Sequence, residues 1–95
     1  KRGGHIRSRI LATAACCEPR KRENLPTGRG VEMALRNVLR QSGLNSETLG
    51  HINAHGLSTG PMDRAEAQAI AAVVGDTPVT APKGNFGHAG AGSGL

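Results

Sequence analysis

The sequence predicts an α/β fold, because segments with helical spacing alternate with short segments that have the character of strands. Apolar residues recur at intervals of three and four in residues 31–41 and 65–74, which is the pattern of helices that pack on one face. Residues 5–15, 51–54 and 78–81 are short and end at polar or glycine-containing segments, as strands do. We therefore expect a sheet with helices packed against it.

The composition allows one small domain with a thin core. Hydrophobic residues make up 37% of the 95 residues, but 13 of them are Ala, and Leu, Ile, Val and Phe together number only 18. That content lies at the edge below which chains tend not to fold alone. Phe86, the single aromatic residue, adds little bulk for burial. We interpret the chain as a piece of a larger α/β protein whose core other residues complete.

Membrane and secreted classes are not expected. No apolar run approaches the roughly 20 residues of a membrane helix, and no apolar signal segment follows the charged N-terminus. Cys16 and Cys17 are adjacent, which disfavours a normal disulfide between them on geometry. A reducing cytoplasm is the simplest expected location.

The first forty residues combine a strand, a loop and most of the basic charge. Alternation of apolar and basic side chains over residues 5–15 predicts a half-exposed strand, and prolines and glycines mark residues 18–30 as a loop. Ten of the twelve Lys and Arg residues precede position 41, including the run Arg20, Lys21 and Arg22. This charge predicts either a phosphate-binding or acidic-partner surface or an ordinary solvated loop. A nucleic-acid-binding module is the weaker alternative, because no aromatic side chains interleave with these charges.

Two helices follow, each with a terminating glycine. Gly43 stands where a residue just beyond a helix end is expected, after the helix of residues 31–41, and residues 45–49 form a polar turn. In the second helix, Asp63 is a plausible N-cap and the carboxylate of Glu66 has the spacing of a capping box. Gly75 then ends this helix.

Common metal and phosphate motifs are absent from the sequence. His51 and His55 have a metal-binding spacing only on a helix, and the glutamate of an HExxH motif is missing, so no metal is expected. The glycines after position 83 are not followed by the Lys-Ser/Thr pair of a phosphate-binding loop. The remaining combination is His55 after one strand and Lys83 with His88 after another. In α/β proteins the chemistry lies at the carboxyl ends of neighbouring strands.

These residues resemble the second half of a β-ketoacyl-acyl carrier protein synthase, a condensing enzyme of fatty acid and polyketide synthesis. The resemblance rests on INAHGLST (52–59), PVTAPK (78–83) and GNFGHAGAGSG (84–94), together with the helix that carries Asp63 and Glu66. It implies that residues 1–95 are a partial C-terminal-half domain, roughly a quarter of such an enzyme, with the nucleophile-bearing half absent. The implied fold is thiolase-like, with α-β-α-β-α layers, and usually dimeric.

The resemblance also implies a role for each matching residue. In the family, an acyl group moves from acyl carrier protein to a cysteine, malonyl-carrier protein loses CO₂, and the enolate attacks the acyl thioester. His55 and His88 match the two histidines that stabilise the developing charge on the thioester oxygen. Lys83 matches the lysine that sets the charge and orientation of that pair, and Thr59 matches a threonine that binds the phosphopantetheine arm. No cofactor is implied, because that arm arrives on the carrier protein.

The sequence departs from the family pattern at three points. Leu57 stands where a Thr is usual, which removes one hydroxyl contact to the arm, and Ala91 stands where Gly is common. The nucleophilic cysteine of the family lies far upstream of this stretch, and neither Cys16 nor Cys17 matches it. We therefore predict that the fragment alone is inactive. A non-condensing partner subunit of the chain-length-factor type, which would form a heterodimer, stays the alternative.

Overall fold

The computed structural model describes residues 3–19 and 25–90. Its elements, in chain order, are α1 (Arg29–Ser42), a 3-10 turn (Ser46–Thr48), β1 (Ile52–Asn53), α2 (Gly60–Val74), β2 (Val79–Thr80) and α3 (Lys83–Phe86). The basic run Arg20, Lys21 and Arg22 and the departing Ala91 lie outside the described residues. Within the described part, no helix is long and apolar enough to cross a membrane.

α1 confirms the first predicted helix, with a start two residues earlier than the apolar pattern indicated. Gly43 ends it in the left-handed conformation, with φ 71° and ψ 12°, which a residue without a Cβ adopts at no steric cost. None of the α1 side chains is fully buried. On the exposed surface of this helix, Arg36 pairs with Glu32, one turn away, at 2.8 Å. α1 therefore covers the core as an outer layer.

α2 is the central helix, and the prediction of its start at an Asp63 cap is wrong. The helix begins at Gly60, three residues before Asp63, with Pro61 in the first turn, where its missing N–H is not needed. Asp63 is thus a first-turn residue, and its Oδ1 is buried without a hydrogen-bond partner among residues 3–19 and 25–90. The core of the molecule is the buried apolar face of α2: Ala65, Ala69, Ile70 and Val74.

The small side chains on that face let the start of α1 approach α2 closely. Gly28, immediately before α1, has φ 80°, and a Cβ at this position would collide with the carbonyl oxygen of Ala65 and contact the Cβ of Ala69. Only glycine meets both demands at this position, because it tolerates positive φ and has no side chain. The closely spaced alanines of α2 are therefore used for contact between the two helices.

β1 and β2 form a parallel pair, as the α/β prediction requires. Ile52 lies opposite Val79, and Asn53 lies opposite Thr80. The N–H of Ile52 donates at 2.8 Å to the carbonyl of Pro78, the residue immediately before β2. α2 makes the crossover between the two strands, so the chain leaves both strands at the same edge of the sheet.

The prediction of a strand over residues 5–15 is wrong in one respect. Exposed and half-buried side chains alternate from residue 11 to residue 19, which is the period of a strand, whereas residues 5–10 are all exposed. The segment does not form a strand, because no backbone in the described part of the chain forms a ladder with it. Ile6 and Ile10 are consequently 86% and 83% exposed. The predicted alternation is thus seen only from residue 11 onward, and the pairing needs a neighbour that the described residues do not supply.

Candidate active site

The candidate site is formed by the segments that leave β1 and β2. His55 follows the end of β1 by two residues, and Lys83 follows the end of β2 by three and begins α3. Gly87, with φ 78° and ψ 174°, ends this single turn and leads the chain to His88. The turn of α3 was not predicted from the sequence, because four residues with two glycines nearby have no helical periodicity.

Lys83 is the buried charge of the site. Its side chain is 8% exposed, and its Nζ donates a hydrogen bond of 2.5 Å to the carbonyl oxygen of His55. An ammonium group taken out of water needs an acceptor, and a backbone carbonyl at this distance supplies one. The lysine therefore joins the two strand ends and orients the backbone of His55.

The two predicted histidines lie side by side. The ring centroids of His55 and His88 are 5.6 Å apart and the ring planes are inclined by 75°, an edge-to-face arrangement. The Nδ1 of His88 accepts a hydrogen bond of 2.9 Å from the N–H of Gly90. Because Nδ1 is the acceptor, a neutral His88 ring carries its proton on Nε2, which is then available as a donor. Both imidazoles are exposed at the surface of the described structure.

Glu66 takes part in the site in a way that the sequence analysis missed. Its Oε1 accepts from the N–H of His55 at 2.7 Å, and its Oε2 accepts from the N–H of Gly56 at 2.8 Å. The predicted capping box is therefore wrong, since this carboxylate binds the loop after β1 and not the start of its own helix. One signal could have indicated this: Glu66 falls on the same face of α2 as the buried Ala69 and Ile70.

The turn after His55 has an unusual backbone. Gly56 has φ 49°, and a Cβ there would lie 2.5 Å from the Cβ of Ala81, so the loop packs directly against the end of β2. Ser58 has φ 65° and is the one non-glycine residue with positive φ in the described residues. Such a conformation is uncommon for a residue with a side chain and persists where surrounding contacts hold it.

Thr59 and Leu57 differ in their surroundings. Thr59 is exposed immediately before α2, and its hydroxyl makes no hydrogen bond to the residues that the structure describes. The structure therefore does not join Thr59 to the histidines and Lys83. Leu57 is half-buried and lines a cleft of about 290 Å³ between α2 and the start of α1.

The cysteines do not form a nucleophilic centre with the histidines. The Sγ of Cys16 accepts a weak hydrogen bond of 3.7 Å from Asn37 Nδ2, which places it against α1. Cys17 is exposed. Cys16 is therefore packed against α1, whereas Cys17 faces solvent. Neither sulfur has a hydrogen bond to His55 or His88 in the described structure.

His51 has a partner of its own. Its Nε2 shares a hydrogen bond of 2.7 Å with the hydroxyl of Thr80, across the β1–β2 pair. His51 and His55 flank a strand, so the helical spacing that would suit a metal does not apply to them. No group of three or more metal-ligating side chains occurs among the residues described.

Glu18 anchors the extended N-terminal segment beside the site. Its carboxylate accepts from the hydroxyl of Thr27 at 2.7 Å and from the Thr27 N–H at 3.0 Å. The other oxygen accepts from the N–H of Gly30, in the first turn of α1, at 3.4 Å. These hydrogen bonds, above all that of the Thr27 hydroxyl, lower the pKa of the Glu18 carboxyl below its ordinary value. Glu18 thereby caps a helix from a distant part of the chain.

Comparison with known proteins defines the class. A model of the β-ketoacyl synthase C-terminal domain matches residues 8–95. The chain belongs to this family, whose fold is thiolase-like, and the helices and parallel strand pair described above are compatible with that α/β architecture. The family resemblance and the fold class inferred from the sequence are thereby confirmed.

Individual relatives cover nearly the whole chain. It is 34% identical over 92 residues to the chloroplastic 3-oxoacyl-[acyl-carrier-protein] synthase II of Arabidopsis thaliana, a match that covers 93% of this chain and 17% of the relative. With the 3-oxoacyl-[acyl-carrier-protein] synthase 2 of a Synechocystis species it shares 35% identity over 98 residues, 98% of this chain and 24% of the relative. A putative polyketide β-ketoacyl synthase 1 of Streptomyces virginiae is 34% identical over 92 residues, 93% of this chain and 22% of the relative.

The chain thus spans a quarter or less of the length of these relatives. Three quarters or more of the length of each of these relatives lies outside the matched region.

Proposed function

We propose that the complete protein is a β-ketoacyl-acyl carrier protein synthase of fatty acid or polyketide synthesis, an acyltransferase. It would catalyse the decarboxylative Claisen condensation of malonyl-carrier protein with an acyl group held as an enzyme thioester. The observation that carries the proposal is the pairing of His55 and His88, 5.6 Å between ring centroids, at strand ends that Lys83 joins. The names of the relatives support the same reaction class.

The proposed chemistry uses the histidines as hydrogen-bond donors. Decarboxylation breaks the bond between the malonyl α-carbon and the carboxylate carbon, and the electron pair moves into the enolate of the thioester as CO₂ leaves. N–H groups of His55 and His88 stabilise the negative charge on the thioester oxygen. The enolate carbon then attacks the carbonyl carbon of the acyl thioester and expels the cysteine thiolate. That cysteine belongs to a part of the protein outside this chain.

Lys83 and Thr59 have supporting roles in this proposal. Lys83 holds the carbonyl of His55 and so fixes the backbone from which the imidazole projects. The exposed hydroxyl of Thr59 is available to a phosphopantetheine arm. Leu57 supplies no hydroxyl, so the arm has one polar contact fewer in this protein than the family pattern provides.

The partner would be an acyl carrier protein, which brings the phosphopantetheine arm with it, and no other cofactor is required. Acyl carrier proteins are acidic, and Arg7, Arg9 and Arg29 are exposed cations on the described surface. The basic run of residues 20–22 could add to them. A homodimer and a cytoplasmic location remain predictions from the sequence.

A reconstitution assay tests the proposal. The full-length protein is incubated with acyl-carrier protein and malonyl-carrier protein, and both CO₂ release and the β-ketoacyl product are measured. Replacing His55 or His88 with Ala should lower the rate by on the order of 10²–10³, the usual cost of one donor to a developing oxyanion. His51→Ala is the matched control, since His51 bonds to Thr80 instead.

Two results would contradict the proposal. One is a wild-type protein with neither decarboxylation nor condensation, which would favour a non-condensing partner subunit. The other is a His55→Ala or His88→Ala variant with the wild-type rate. The presence of both histidines favours the enzyme over the chain-length-factor alternative, because such factors commonly lose them.

A further inference from the structure

The backbone of His55 is held by a charged group on each side. The Glu66 carboxylate accepts from the N–H group of His55 at 2.7 Å and from the N–H group of Gly56, in the peptide that follows His55, at 2.8 Å. On the carbonyl side, the Lys83 ammonium donates to the His55 oxygen at 2.5 Å. A negative and a positive side chain therefore contact the same short stretch of backbone. The carboxylate accepts from N–H groups and the ammonium donates to a carbonyl oxygen, so each meets a backbone group of opposite partial charge.

This arrangement is electrostatically strong for a loop residue. Hydrogen bonds to ionised groups are about twice as strong as those between neutral groups. Lys83 is 8% exposed and Glu66 is half-buried, so solvent and salt screen both contacts less than at an open surface. Glu66 comes from the helix α2 and Lys83 from the segment after β2, so the clamp formed by these two side chains ties His55 to two elements of the core.

The turn that follows requires such an anchor. Gly56 and Ser58 both have positive φ, 49° and 65°, within three residues of His55. For a residue with a side chain this conformation is costly and persists only where neighbouring contacts over-determine it. The two hydrogen bonds to Glu66 lie at the start of this turn and fix its direction.

We propose that Glu66 is a positioning residue for His55. The Glu66 carboxylate and the Lys83 ammonium hold the His55 backbone between them, and this orients the imidazole of His55 towards the position beside His88. The inference rests on the proposed condensing function, because it assigns to Glu66 the task of placing one of the two donors. Glu66 acts through the backbone of His55. Its effect is on the geometry in which the reacting oxygen meets the imidazole N–H.

The test uses three variants of the full-length protein. Glu66→Gln keeps the shape but leaves one acceptor oxygen for two N–H donors, and the rate constant kcat of condensation should fall by about 10²-fold, a typical cost of a misplacement near 1 Å. The KM for the carrier-protein substrates should stay close to that of wild type. Glu66→Asp keeps the charge on a shorter side chain and should restore part of the kcat. Glu32→Gln removes a carboxylate of the exposed α1 surface and should change neither.

Amide hydrogen exchange provides a readout that does not depend on activity. In the wild-type protein the amide of His55, an exposed residue, and that of Gly56, a buried one, should both exchange slowly, and both should become fast in Glu66→Gln. A carboxylate that served only overall folding would instead lower thermal stability and leave the kcat of the folded fraction unchanged. Wild-type levels of kcat in folded Glu66→Gln would overturn the proposal.

The exchange experiment also separates this inference from the proposed function. Fast exchange of both amides in the wild-type protein would show that the clamp does not exist, whatever the activity. This measurement uses the wild-type protein alone, so it does not depend on a variant that folds. Slow exchange in a wild-type protein that does not condense would instead contradict the proposed function alone.

Discussion

The Nζ of Lys83 lies 2.5 Å from the carbonyl oxygen of His55, a residue 28 positions earlier in the chain. This contact joins the segments that leave β1 and β2, and it brings the second segment, with His88, beside the first. The contact of Lys83 with His55 therefore has a structural role, because the buried ammonium determines where the His55 backbone can lie.

Replacing Lys83 tests this dependence. Lys83→Met keeps much of the length and volume but removes the donor, so the His55 carbonyl loses its partner in a partly buried site. We expect the free energy of unfolding of the full-length protein to fall by about 1–3 kcal/mol, the usual cost of an unsatisfied buried polar group. Denaturant unfolding measures it, with Arg64→Met on the exposed side of α2 as the control. Equal losses in both variants would contradict a specific role for the ammonium.

Gly56 provides a second test, since two independent features demand glycine there. Gly56→Ala should lower the free energy of unfolding by about 1–3 kcal/mol, because φ is 49° and the new Cβ would lie 2.5 Å from that of Ala81. The control is Gly50→Ala, where the added Cβ has nothing within 4 Å. Combining Gly56→Ala with Ala81→Gly should recover part of the loss by removing the clash. No recovery would mean that the Ala81 contact is not responsible.

The hydrogen bonds to Glu18 should make the stability of the folded protein depend on pH in the acidic range. Because hydrogen bonds from Thr27 lower the pKa of Glu18 in the folded state, folding stabilises the ionised carboxylate. That stabilisation is fully present above the ordinary pKa of 4.5 and is lost as the pH falls through the lowered value.

Glu18→Gln should therefore reduce the loss of stability between neutral and acidic pH, measured as the thermal midpoint across a pH series. Glu47→Gln, an exposed substitution in the 3-10 turn, is the matched control and should leave the slope unchanged. If the acid slope of Glu18→Gln equals that of wild type, the carboxylate does not contribute in this way.

The cysteines give a prediction for the isolated fragment. Residues 1–95 incubated with an acyl-carrier protein should gain no acyl group, because Cys16 packs against Asn37 and neither cysteine has a hydrogen-bonded histidine in the described structure. Intact-mass spectrometry reports the adduct directly. The full-length protein, treated alongside, should be acylated on a cysteine outside this stretch. Acylation of Cys16 or Cys17 would reverse the prediction.

Local patterns predicted the elements well where they are self-contained. The helix that ends at Gly43 and the one that ends at Gly75 were both recognised, because apolar spacing and a terminating glycine are properties of one continuous segment. The start of α2 was missed, since Asp63 and Glu66 have the spacing of a capping box, while Pro61 marks an earlier start. The predicted strand of residues 5–15 has no ladder partner among residues 3–19 and 25–90, because a strand needs a partner that its own sequence cannot specify.

By itself, the sequence determined the α/β character, the family and the three side chains His55, Lys83 and His88 at the strand ends, since periodicity and motifs are encoded along the chain. Only the tertiary structure decided that Glu66 holds the backbone of His55 and that Lys83 bonds to its carbonyl. These contacts join groups 10 to 28 residues apart, and their geometry depends on how α2 packs over the parallel strands. Spacing in the sequence does not encode distances of that kind.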